Sequence, residues 1–264
     1  MNKVWQKNDL KNGYNSIAEI NGNHSNMLMD FGVLKLHDGE SHRINESEKE
    51  VAVLLVTGDV ELTWNNNTES ISRDSFLDES PWCLHVPKKT EITISAVKES
   101  EIIIQKTDND NDFKAKLYTQ EDCRSEIFGG GVLDETSNRT VRTVFDYNNA
   151  PYSNLVIGEV INHPGRWSSY PPHDHPQPEI YHYKFINEQG FGVSIIEDDA
   201  FVVKNNDTVC VPPGTVHPQV TAPGYPMWYC WMIRHLQDNP FIDRIFRDEH
   251  IWLLDPDVKT WPVK

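Results

Sequence analysis

Apolar and polar positions alternate along this chain in short runs cut apart by turn signals. The segment VAVLLVTGDVELTW (51–64) opens with a continuous apolar run. It passes through Gly58-Asp59, read as a turn, into the alternating positions Val60, Leu62 and Trp64. Asn65-Asn66-Asn67 is a second turn, and CLHVP, TEITISAV and EIIIQK follow as further strand-like runs. The pattern restarts with RTVRTVFD, NLVIGEVIN, IYHYKF, GFGVSIIE, AFVVKN, TVCVPP and YPMWYCWMI. Strands at this spacing without intervening helices predict an all-β fold of antiparallel sandwich or barrel type. Only the tail NPFIDRIFRDEHIWLL suggests a short helix, with Phe241, Ile245 and Phe246 on one face.

The polar, acidic stretch from 107 to 122 is the best linker, and Gly129-Gly130-Gly131 marks a loop after it. The halves repeat weakly, since Val86-Pro87-Lys88-Lys89-Thr90 parallels Val211-Pro212-Pro213-Gly214-Thr215. A duplicated barrel follows, with domains expected at 1–115 and 116–264, and such duplications often keep one working site.

Composition narrows the function. A formal net charge of -16 repels nucleic acid and anionic lipid surfaces. It repels an acidic substrate too, so local cations or a metal must capture one. No C-x-x-C pair occurs among Cys83, Cys123, Cys210 and Cys230, and Cys83 and Cys210, in strand-like runs, are expected as small buried apolar residues. The N-terminus lacks an apolar signal core and no run is long enough to cross a bilayer, so a cytoplasmic protein is expected.

His173-Asp174-His175 places two imidazoles two residues apart, on one face of a strand. Glu179 follows, and His217 closes the segment PPGTVH. Alone, each is weak. Together, His173, His175, Glu179 and His217 suit one divalent first-row metal ion, and Zn, Mn, Fe or Ni would all fit. The N-terminal half lacks this set: Ile92 stands where His217 would map, and His37, His42 and His85 are scattered.

These two segments resemble the paired motifs of the cupin superfamily. Asn206 stands at that family's usual turn glycine, a mild change because Asn tolerates the left-handed backbone. Thr221 stands where an asparagine is usual. More narrowly, GEVINHPGRWSSYPPHDH, Glu179-x-Tyr181, Gln189-Gly190-Phe191, VPPGTVHP and APGY resemble the 5-deoxy-glucuronate isomerase family of inositol catabolism. They also resemble its relative acting on a deoxy-hexosulose uronate from pectin. The resemblance spans nearly the whole chain. It implies two cupin-type, double-stranded β-helix (jelly-roll) barrels and a metal-dependent aldose–ketose isomerase acting on a small-molecule sugar acid. Ser194-Ile195 and the stretch from Trp228 to His235 depart from the family pattern, which leaves the exact substrate open.

For such a reaction Glu179, Tyr181, Tyr183 and Tyr229 are the proton-transfer candidates. Strand alternation puts Tyr181 and Tyr183 on the Glu179 face and His182 on the other, as a packing residue. Arg166 and Arg234, with Lys184 as a third choice, are candidates for a substrate carboxylate. Two other readings stay open, a metal-dependent oxygenase and a sugar-binding cupin without turnover. Exposed barrel edges leave room for a homodimer.

Overall fold

The computed structural model describes residues 4–261. Its strands curl into two barrels that stand back to back. The first is a nine-stranded sheet built around strand Lys49–Trp64, which pairs with Cys83–Val86 and Ser100–Asp108 through its first half and with Asn67–Arg73 and Glu91–Ala96 through its second. The second combines a seven-stranded sheet, running from Trp5–Gln6 to Arg124–Phe128, with a four-stranded sheet around Phe191–Ile196.

The continuous apolar runs have a direct cause. In strand Lys49–Trp64, Val51, Val53 and Leu55 point into the first barrel, while Ala52, Leu54 and Val56 point toward the second. Both faces are buried, so nothing in this half of the strand needs to be polar. Strand Met227–Arg234 repeats the arrangement: Met227 and Tyr229 face the second barrel's interior, Trp228, Cys230 and Met232 the shared core. Residues of both halves thus form one apolar core between the barrels.

Buried polar groups fasten the same interface. Arg73 donates to both oxygens of Glu159 at 2.7 and 2.8 Å, with both side chains fully buried. Arg142 reaches Glu159 at 3.4 Å, and the two guanidiniums also hold carbonyls of the loop at Phe76, Leu77 and Glu79. Glu50, bonded to His85 of its own barrel at 2.8 Å, accepts across the interface from Ser153 and from the Asn154 backbone, and Lys184 meets Glu101.

Several expectations need correction. Gly58 is not a turn: it kinks a continuous strand, with φ at 119° and a would-be Cβ 2.2 Å from Ser100 Oγ, where no side chain fits. The stretch from 107 to 122 is only partly a linker, because Lys116–Tyr118 returns to pair with Cys83–Val86. Trp5–Gln6, for its part, pairs with Thr208–Val211 of the second barrel. The tail forms no helix around Phe241, Ile245 and Phe246. Ile245–Phe246 is a strand paired with His173–Asp174, and a 3₁₀ helix follows at Asp248–Leu254. By contrast, Asn65 and Asn66 take the positive φ values of a two-residue hairpin turn, and Asn206 takes φ 66°. All four cysteines are buried and free, and among the described residues no helix is long and apolar enough to cross a membrane.

Candidate metal centre

The two barrel interiors differ in filling. The first is packed with aliphatic side chains, Ile92 and Ile94 among them. The second carries Tyr181, Tyr183 and Tyr229 among smaller apolar groups and keeps a cavity of about 230 Å³. That is small beside the ~300–1,000 Å³ of pockets for drug-sized ligands.

Strand pairing assembles the cavity wall. Glu179 opens strand Glu179–Lys184, which lies between Thr208–Val211 and Met227–Arg234. His175 precedes it, and Gly214, at φ 71°, donates its N–H to the His175 carbonyl at 2.8 Å. That bond ties the loop of the first motif to the loop carrying His217. The tail closes the outer side, with Phe241 against the His175 ring at 4.9 Å and Phe246 against His173 at 5.6 Å.

Donor atoms of His175, Glu179 and His217 all lie within 4.8 Å of one another, and all three residues are buried. His173 stands beside this set rather than in it, its ring edge-on to His217 at 5.2 Å. Each ring is oriented from behind: Nδ1 of His173, His175 and His217 contacts the carbonyl of Pro171, Gln177 and Thr215 at 2.8, 3.0 and 2.8 Å. A carbonyl only accepts, so Nδ1 carries the proton and Nε2 a lone pair. The lone pairs of His175 and His217 then face Glu179 Oε2 at 3.1 and 3.4 Å. Two imidazole lone pairs against a carboxylate oxygen repel, and a cation among them relieves that repulsion. Burial pushes the imidazoliums down, His173 to about 2 and His217 below its usual value, so protonation is a poor substitute. The residues present therefore fit a divalent metal.

The tyrosines divide. Tyr181 lines the cavity and donates to Glu179 Oε2 at 3.0 Å. Burial, and then the charge of Glu179, raises its phenol well above the usual range, so it is a proton donor at neutral pH. Tyr229 lines the cavity and donates to Ser168 at 2.8 Å; burial raises it to about 12. Tyr183 shares their face but lies deeper, donating to Gln219 at 2.6 Å outside the cavity wall. His182 points the other way, onto Phe31 of the first barrel.

The expected cations lie elsewhere. Arg234 bonds Thr107 and the His235 carbonyl, Lys184 is held by Glu101, and neither these nor Arg166 lines the cavity. The arginines that do are Arg124, Arg139 and Arg244. Sequence proximity to the motifs could not find Arg139. It reaches the wall because strand Arg139–Phe145 pairs with Leu155–Asn162, which pairs with Met227–Arg234.

Two all-β barrels in one chain, with the imidazole–carboxylate cluster inside one of them, define a bicupin. More narrowly, the KduI/IolB family model matches residues 4–253, and the chain belongs to that family. Its relatives include proteins named 5-deoxy-glucuronate isomerase. The one from Bacillus licheniformis is 28% identical over 243 residues, 85% of this chain and 88% of that protein. The one from Halalkalibacterium halodurans is 24% identical, covering 95% and 97%. Among solved structures, an IolB-like protein from Salmonella typhimurium superposes with TM-score 0.87 at 21% identity, over 96% of this chain and 100% of that one. An oxalate decarboxylase from Lactobacillus farciminis shares the fold at TM-score 0.65 and 10% identity, over 91% and 86%.

Proposed function

We propose that this chain is a cytoplasmic, metal-dependent aldose–ketose isomerase acting on a deoxy-uronate sugar such as 5-deoxy-glucuronate in inositol catabolism. The observation that carries the metal dependence is the convergence of His175 and His217 Nε2 on Glu179 Oε2, each ring fixed from behind by a backbone carbonyl. The substrate class rests on the family and on the relatives' names.

His175, Glu179 and His217 would hold the ion, with His173 beside them as the fourth donor. When bound, a divalent ion supplies Lewis-acid polarisation of the substrate's oxygens. The chain's own groups handle protons and water. An aldose becomes a ketose when the C2 proton moves to C1 and the O2 hydroxyl proton moves to O1, with no net gain or loss. Tyr181, neutral at physiological pH and touching Glu179, holds a proton at the hydroxyl oxygen facing the cavity. Tyr229, packed on Tyr181 at 5.0 Å between ring centroids, orients it. Phe241 and Phe246 cover the imidazoles and keep water off them.

The test is direct. Protein purified without added metal is assayed for bound ion while 5-deoxy-glucuronate is followed by proton NMR in deuterated water. Loss of the aldehyde-hydrate signals, abolished by chelator and by His217→Ala, is the expected result. A protein that binds no metal, or turns over equally well after His217→Ala, sinks the proposal.

A further inference from the structure

Arg139 is 4% exposed, yet among the described residues no carboxylate lies within ion-pair distance of it. Its guanidinium donates to the carbonyls of Ser137 at 2.8 Å and Tyr170 at 3.2 Å. A guanidinium has five N–H donors, so two carbonyls leave most of the fork, and all of the charge, unmatched. The rest of the cavity wall does not supply the match. Glu126 and Asp146 are taken by Arg124 at 3.1 and 2.8 Å, Glu179 belongs to the imidazole cluster, and Asp243 is an exposed rim residue beside Arg244. Arg139 and Arg244 both lie against the Phe128 ring, each 5.7 Å from its centroid. Two cations thus meet at one aromatic wall of the cavity, the deeper one buried and unpaired. Buried charge of this kind is costly unless something of opposite sign arrives to pair with it.

We propose that Arg139, with Arg244 beside it at the Phe128 wall, is the anion subsite of this cavity and takes the carboxylate of a sugar-acid substrate. The choice of a sugar acid rests on the isomerase reading, whereas the anion subsite itself rests on Arg139's burial and missing partner. The planar fork suits a carboxylate bidentately. A local cation of this kind also answers the chain's net charge of -16, which repels acidic ligands at a distance. Arg139 is a specificity residue here: it selects the acid end of the ligand and leaves the reacting carbons to the imidazole–carboxylate cluster.

The experiment compares binding of D-glucuronate with that of its neutral methyl ester to the metal-loaded protein, by calorimetry. Wild type is expected to prefer the acid by between about 10- and 100-fold, the range of a hydrogen-bonded charge. In Arg139→Gln that preference collapses toward one, and in Arg244→Gln it falls in part. A structural tie to Ser137 and Tyr170 would lower the melting temperature without moving the acid-to-ester ratio. If Arg139→Gln does not fold, Arg139→Lys decides, because a point charge without the fork should still cut the ratio several-fold. No preference in wild type, or a wild-type ratio in Arg139→Gln or Arg139→Lys, overturns the subsite. A preference removed by chelator but not by Arg139→Gln also overturns it, since the carboxylate then binds the ion. Failure of wild type to turn over 5-deoxy-glucuronate sinks the isomerase reading alone and leaves this comparison standing.

Discussion

Glu159→Gln is the substitution that weighs the buried charges between the barrels. Glu159 is fully buried and receives two hydrogen bonds from Arg73 and a longer one from Arg142. With Glu159 ionised, the cluster carries one net positive charge, partly offset by carbonyls of Leu55, Phe76, Leu77 and Glu79. Glutamine keeps the size but leaves two buried guanidiniums with no counter-charge, and its amide must point N–H groups at one of them. Removing one partner of such a pair costs about 3–5 kcal/mol. Urea unfolding followed by tryptophan fluorescence reads this as a lower midpoint at unchanged slope. Because the cost is the orphaned charge, adding Arg73→Met to Glu159→Gln should recover part of the loss. Bound metal should stay at wild-type stoichiometry in the folded variant. Glu159 points into the shared core, while its strand neighbour Val160 faces the cavity. A loss below about 1 kcal/mol, a double variant as unstable as the sum of its parts, or metal loss without destabilisation would each refute the reasoning.

Tyr181→Phe removes the hydroxyl touching Glu179 and spares the ring, so metal content should hold while kcat falls by about 10²–10⁴-fold, the usual worth of a positioned proton donor; unchanged kcat would exclude Tyr181 from proton handling. His182 is buried against the first barrel, and burial lowers its imidazole to about 3. Its folded pKa lies below the unfolded value, so its contribution is whole above about 6.5 and is lost as pH falls from there toward 3. At pH 5 that linkage is about 2 kcal/mol. His182→Asn should therefore show a flatter decline in melting temperature between pH 7 and 5 than wild type, and a parallel decline would show that His182 does not drive it.

The sequence made most visible what depends on neighbours along one strand. His175 and Glu179 share a short loop, and alternation correctly put Tyr181 and Tyr183 on one face with His182 on the other. Alternation says nothing about depth, which is why Tyr183 ended on Gln219 and not in the cavity. His217 was legible because it follows a Pro-Gly turn at a fixed spacing, and Gly214 of that turn ties its loop to His175. Arg139 was not: it is carried to the site by two successive strand pairings, and nothing near it in the chain marks a pocket. Gly58 read as a turn because its conformational need is the same in a turn and in a kink, and only the close approach of Ser100 tells them apart. The apolar tail suggested a helix stripe because Phe241 and Phe246 are both half-buried, but each packs on its own imidazole ring, His175 and His173, and not against a core.

The core shared between the barrels sets the order in which the protein can be made. When the first half leaves the ribosome, Phe31, Val33, Ala52, Leu54 and Ile103 have a finished interior on one side of their sheet and nothing on the other. Their cover, Ile157, Ile180, Trp228 and Met232, is synthesised up to two hundred residues later, and the partner of Trp5–Gln6 is Thr208–Val211. At about 5–20 residues per second the nascent sheet waits many seconds with a greasy face open to water. The first half, which lacks the imidazole–carboxylate cluster, thus bears the greater burden during biosynthesis, and it is there that holding chaperones, slow translation or low temperature would decide the yield of active enzyme.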